Sequence, residues 1–338
     1  DGGSVVQTGT DTANVTRCRF TANEVTAGDG GAWSALDQSQ TTVTDSTFAG
    51  NLAGNFAGGF FHTGAAFELT ACRFKGNRSE QRGGGFYIEG VDASLEGCTF
   101  TGNTSGIGGG GMFFGGSPAV DSCLFKKNVA GGGEAMFFSV STPEVEKTRF
   151  CDNRAVSGGA LNFDNTDASF LNCLFHRNNA DGGGVGSQFN GDLSFTHCTF
   201  AYNTSDDGSV LVGNGGGTLT LINSILQHNE SDAPIATGNT ITYLNNNLPD
   251  GPNLDPTNID EDPLFVAPQF HDLRLQEGST SINAGAPDGI GEDLRGLPRT
   301  DIPDLGAYER QPVEDFDEDG IPDDVEGFDD TDGDGIPD

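Results

Sequence analysis

Basic residues are scarce in this chain. It holds 16 Lys and Arg against 50 Asp and Glu, a formal net charge of −34 over 338 residues. That balance argues against nucleic acids and anionic membrane surfaces as partners, because both repel a polyanion. It suits a cation-binding or very soluble extracellular protein. Long apolar runs are missing too, and nothing approaches the roughly 18 residues of a membrane helix. No charged-then-apolar leader opens the chain, so a secretion signal is expected to have been removed, or the chain to be a fragment. No segment shows a 3.6-residue apolar period, which argues against helical architectures. No C-x-x-C or H-x-x-x-H spacing occurs, so the metal and redox signatures tied to those spacings are absent. Length allows one to three domains.

What the chain has in quantity is Gly (52) and Phe (25), and both recur in register. The tetrapeptide F-x-x-N starts at Phe20, Phe48, Phe74, Phe100, Phe125, Phe150, Phe175 and Phe200, with spacings of 28, 26 and 26 and then 25 residues. A degenerate ninth copy carries Leu226 and Asn229. Five residues before each Phe the position is always apolar, from Val15 and Val43 to Phe195 and Leu221. Two before it the residue is small: Cys18, Ser46, Cys72, Cys98, Cys123, Thr148, Cys173, Cys198 and Ser224. A Gly-Gly step with an apolar pair follows each early copy, as at Gly58, Gly84 and Gly110.

A 25-residue unit of short β-prone runs cannot enclose a core alone. It must bury its apolar columns by stacking on its own copies. The pattern therefore predicts an all-β fold, a right-handed parallel β-helix with one coil per repeat over residues 1–235. Coils should rise about 4.8 Å each, with like side chains in ladders. The Asn column should close amide hydrogen bonds between coils and supply the left-handed backbone of a tight corner.

F-x-x-N paired with GG-apolar-apolar resembles the repeats of the chlamydial polymorphic outer-membrane proteins, over residues 1 to about 230. The resemblance implies a surface-exposed β-helix with adhesion-like roles and brings no catalytic residues. Residues 236–312 hold Asp262-Pro263-Leu264-Phe265, Leu273-Arg274-Leu275, Ile282-Asn283-Ala284-Gly285, Asp293-Leu294-Arg295-Gly296, Arg299 and Asp304-Leu305-Gly306-Ala307-Tyr308-Glu309. These resemble the choice-of-anchor type module of bacterial secreted β-helix proteins, which implies degenerate final coils and a C-terminal cap. At the other end, Gly2-Gly3-Ser4-Val5-Val6 reads as the second half of a coil, an end expected to be open to upstream sequence or a docking partner.

Residues 313–338 spell a calcium loop. Asp315, Asp317, Asp319, Gly320, Ile321, Asp323 and Glu326 occupy positions 1, 3, 5, 6, 7, 9 and 12 of D-x-D-x-D-G-x-x-D-x-x-E. Hard oxygen ligands, a Gly at the sharp turn and a bidentate Glu are what Ca²⁺ requires, with Ile321 offering its carbonyl. A second loop begins with Asp330, Asp332, Asp334, Gly335, Ile336 and Asp338 and stops before position 12. The flanks are not helical, so this is not an ordinary EF-hand. The G-I-P-D units resemble thrombospondin type 3 repeats.

The cysteine column reads as a buried column of small residues rather than a disulfide or metal ladder, with Cys151 outside it. Five sequons, at Asn14, Asn77, Asn103, Asn203 and Asn229, read as by-products of the repeat, since three lie on the inward Asn column. The five histidines, His62, His176, His197, His228 and His271, read as scattered surface residues. The expected function is a calcium-binding structural protein, extracellular or on a bacterial cell surface. It would assemble with itself head to tail through its coil ends and calcium tail. A monomeric adhesin or glycan-binding protein is the alternative. A polysaccharide lyase or hydrolase is the minority reading, with Asp164, Asp167, Asp181, Asp206 and Asp207 and Arg154, Arg177 or His176 as its candidates.

Overall fold

The computed structural model describes residues 5–311 except 11, 38–39, 64, 132–134, 183, 189, 206–208, 214–215, 231–232, 237–239 and 250–255. The chain winds as a parallel β-helix. Among the described residues it builds a first and a second sheet of ten strands each, a third of nine and a fourth of eight. Each repeat gives one strand to each sheet. Phe60–His62, Phe67–Thr70, Arg73–Lys75 and Arg78–Ser79 form one coil. Every inter-coil pairing in these sheets is parallel and in register, as in Phe48↔Phe74↔Phe100↔Phe125 along the third sheet.

Register turns the sequence columns into ladders. The F-x-x-N rings stack from Phe20 to Phe200, with centroids 4.9 Å apart for Phe20 and Phe48 and 4.6 Å for Phe48 and Phe74. From Phe48 onward these rings are fully buried. Apolar residues of the second sheet, such as Val43, Leu69, Leu95 and Val120, meet them across the lumen.

The Asn column is saturated. Asn77 donates its backbone N–H (2.9 Å) and its amide N–H (3.0 Å) to Oδ1 of Asn103 in the next coil, and its other amide hydrogen to the carbonyl of Phe48 (2.9 Å). The pattern runs from Asn51 to Asn203. The left-handed residue at this corner is not the Asn, however, but its predecessor: Ala22, Gly50, Gly76, Gly102, Lys127, Asp152, Arg177, Tyr202 and His228 all have φ near +60°. Turning one residue earlier leaves the Asn in extended backbone, from where its amide can reach the coils above and below.

The Gly-Gly step closes the coil. At Gly84 an added Cβ would lie 2.3 Å from the carbonyl oxygen of Gly109 and 2.6 Å from that of Thr104. Both neighbours are backbone, so neither can swing aside. The first sheet begins where the cross-section is too narrow for any side chain.

The last strand of the second sheet is Thr240–Leu244; Asn246 and Asn247 still stack on Ser224 and Ile225 of the coil before, and Leu248 still enters the lumen core, before the chain leaves the repeat path. Instead of only covering the final coil, the C-terminal segment runs back along the outer face of the third sheet. Leu174, Ala201 and Ile225 there pack under Phe265, Leu273, Leu275, Leu294, Leu305, Ala307 and Tyr308. The outward positions of the third sheet change accordingly. They read Arg73, Thr99, Leu124 and Arg149 in earlier coils, then Leu174, Thr199 and Ile225 beneath the segment.

Candidate functional site

All eleven residues of the expected calcium site, Asp315, Asp317, Asp319, Ile321, Asp323, Glu326, Asp330, Asp332, Asp334, Ile336 and Asp338, lie outside the described residues. So do Asp206 and Asp207. Among the described residues there is no cluster of three His, Cys, Asp or Glu side chains with metal-holding geometry.

The remaining catalytic candidates are dispersed over the coil. Asp164 ends a first-sheet strand and accepts from Ser139 Oγ (3.3 Å) and Asn165 Nδ2 (2.7 Å). Asp167 precedes a second-sheet strand and accepts the backbone N–H of Asp192 (2.8 Å). Asp181 and Arg154 belong to the fourth sheet. Arg177 and His176 sit at the end of a third-sheet strand under the C-terminal segment, where Arg177 Nη1 reaches the carbonyl of Gln269 (3.4 Å). Different sheets hold them, and no acid–base pair forms between them.

What the fold does gather is an open groove of about 320 Å³ on the outer face of the second sheet. Glu144, Asp167, Asp192, Ser169, Ser194 and Thr220 line it. Asp192 is tied down by the backbone N–H (2.7 Å) and hydroxyl (2.9 Å) of Thr218. Only Asp167 was singled out by sequence. Glu144 and Asp192 occupy outward positions of the repeat, and tracking the outward columns as closely as the inward ones finds them.

A second cluster lies in the seam between solenoid and C-terminal segment. It corrects the reading of the histidines as surface residues. His62, His176 and His197 have no exposed surface. His62 points into the lumen against Phe60 and Phe67. His176 Nδ1 and His271 Nδ1 share a hydrogen bond of 2.7 Å, and His271 Nε2 lies 3.5 Å from Asp152. His197 Nε2 pairs with Asp288 at 2.9 Å. Burial holds the His176 imidazole down at about 3, with His271 and Arg177 adding to the effect. Burial and the nearby Arg299 hold His197 at about 4, against the pull of Asp288. Both are neutral at pH 7.

Arg299 and Glu309 form a fully buried pair at 3.2 Å. The guanidinium also donates to Asn172 Oδ1 (2.7 Å) and the carbonyl of Gly306 (2.9 Å), so its charge is met on several sides. Asp293 accepts the backbone N–H groups of Arg295 (2.7 Å) and Leu297 (3.0 Å), and Asp304 those of Asn283 (2.8 Å) and Arg310 (2.6 Å). Burial raises Asp304 to about 6. The D-L-R-G and D-L-G-A-Y-E residues noted in the sequence are therefore the polar core of the segment.

The thiols are all free. Cys18 is exposed and the other six are buried. The small column is more than filler: Sγ of Cys98 accepts the backbone N–H of Cys72 (3.4 Å), and Oγ1 of Thr148 that of Cys123 (3.2 Å). Asn77, Asn103 and Asn203 are buried, as inward sequons should be.

Neither a curated protein nor a solved structure matches the chain. Residues 84–248, which carry the middle and later coils, match the family described as "Right handed beta helix region".

Proposed function

We propose that the chain is a calcium-binding structural protein of the cell surface or extracellular space that assembles into a fibre. The observation that carries the reading is the unbroken register of the ladders. Phe, Asn and small-residue columns are given over to stacking coil on coil, which makes a stiff rod. A rod that joins others end to end makes a heterologous contact, which runs on as an open filament unless it closes. The likeness of its repeats to those of the chlamydial surface proteins, and of its C-terminal segment to anchor-type modules, supports the location. The Asp-rich loops at 315–338 supply the ion chemistry, with Ca²⁺ stiffening or bridging the joint.

Negative-stain electron microscopy of the purified protein, with calcium and then with excess chelator, tests this. Filaments that break up in chelator are the expected result. Short isolated rods in both conditions would reject assembly and move the reading to a monomeric glycan-binding surface protein. The groove beside Glu144, Asp167 and Asp192 favours that second reading, since carboxylates and hydroxyls facing outward suit sugar hydroxyls. Glycan-array binding lost in Asp192→Ala would support it.

A further inference from the structure

Charge on this solenoid is sorted by face. Strands of the third sheet carry Arg19, Arg73, Lys75, Lys126 and Arg149, and no acidic residue among those described. Strands of the second sheet carry Glu68, Glu96, Asp121, Glu144 and Glu146, and no basic residue among those described. In a chain with 50 acids and 16 bases, a face free of acids stands out. Few of these charges are neutralised within the molecule. Lys126 lies 3.9 Å from Asp152, and Glu146 lies 3.9 Å from Lys147, at the corner between the two sheets. Arg73, Lys75 and Arg149, and opposite them Glu96, Asp121 and Glu144, make no ion pair within 4.0 Å among the described residues.

The two stripes also share their coils. Glu68 and Arg73, Asp121 and Lys126, and Glu146 and Arg149 belong pairwise to one coil each. Both stripes therefore climb the rod with the same step of about 4.8 Å. Where the third sheet lies under the C-terminal segment its strands carry no Lys or Arg, only Leu174, His176, Thr199, Ala201, Ile225 and Gln227 facing outward, so the basic stripe is confined to the earlier coils.

We infer that the acidic second face of one molecule docks side by side against the basic third face of another copy. The partner is a second copy of this chain, because one molecule carries both halves in matched register. An anionic polymer would meet the same basic stripe but has no basic face to offer the acidic second sheet, whereas a second copy, although it carries the same −34 charge, has both. Exposed pairs are individually weak and screened by salt, so the contact is cooperative along the stripe and salt-sensitive. It uses neither the coil ends nor the tail.

Sedimentation of the full chain in chelator separates this contact from calcium-dependent joining. At low ionic strength the weight-average mass should rise at least about twofold with concentration, and fall back to the monomer in ~0.5 M salt. Reversing one face, with Arg73→Glu, Lys75→Glu and Arg149→Glu, should abolish the rise. Reversing the other, with Glu96→Lys, Asp121→Lys and Glu146→Lys, should do the same. Mixing the two variants should restore mass, because each then offers what the other needs. A monomer under all conditions overturns the inference, as does undiminished association in either variant. Association that both variants lose and their mixture fails to restore overturns it as well. Heparin binding by the third face without any self-association would assign that face to a polyanion instead.

Discussion

Val140 stands at a corner with φ 53° and is 57% exposed. In the two preceding coils the same place holds Gly90 and Gly115, and in the next Asn165, all with positive φ. A β-branched residue is strained there and buries nothing in return, since left-handed backbone costs an L-residue about 1–2 kcal/mol. Val140→Gly should therefore raise stability by about 0.5–1 kcal/mol, after allowing for the extra freedom of glycine in the unfolded chain. Chemical denaturation with an unchanged m-value would register it, and a loss of stability would mean the corner is not strained. The small column gives the opposite case. Cys98→Ala removes the acceptor of the Cys72 N–H inside the core and should cost about 1–2 kcal/mol, whereas Cys98→Ser, which repeats the hydroxyl acceptors Ser46 and Ser224 of the same column, should be close to neutral. Thiol reagents should titrate Cys18 in the native protein and reach the other six only on unfolding. Hydrogen bonding to Cys123 and burial hold the Cys98 thiol far above its usual range, and burial pushes Cys151 up to about 12.

One coil is held closed by its Gly-Gly step, so that step is where an element fails. Gly84→Ala places a methyl carbon against two backbone carbonyl oxygens of the next coil, and should cost about 3 kcal/mol, read as a drop in Tm together with lost hydrogen-exchange protection around residues 83–111. Elements of this kind were legible in the sequence because each column has one job in every copy. Phe at 48, 74 and 100 announces the lumen, and Asn at 51, 77 and 103 the corner beside it. What resisted reading is whatever the repeat does not set. His176 and His197 occupy outward or corner positions, which a periodic reading assigns to solvent. They are buried only because a segment some 90 residues further along folds onto them. Cys151, one coil before His176, is buried in the same outward column. Of the candidate sites, the calcium loops are plain in their spacing, Asp167 was found as a lone carboxylate, and Glu144 and Asp192 become visible only once the coil is closed and two outward columns meet in a groove.

At the scale of the whole molecule, two parts with different chemistry share one interface, and pH should act on them unequally. His176 and His197 sit in the seam at about 3 and about 4, below the ordinary 6.5 of an unfolded chain. Between those values the unfolded state binds more protons than the native one. Their contribution is thus complete above pH 6.5 and is lost as pH falls toward 4. Asp304 opposes them. Raised to about 6 from an ordinary 3.8, it binds its proton more readily in the native state, so it adds stability as pH falls through that window. Two seam histidines outweigh one carboxyl, and His271, also held below its usual value by burial, adds to their side. The prediction is that acid loosens the seam first. Hydrogen exchange at pH 7.5 and again near pH 5 should show protection falling over residues 265–311 while the ladders over residues 93–150, clear of the buried His62 and its neighbours Phe67 and Ile88, stay protected. The lumen there is lined by Phe and saturated Asn, and no buried histidine lies in that span. Replacing His176 and His197 together with Asn should flatten the pH dependence of the segment without moving that of the ladders. Equal loss of protection along the whole rod would show instead that solenoid and segment unfold as one cooperative unit, with the seam too strong to part before the coils do.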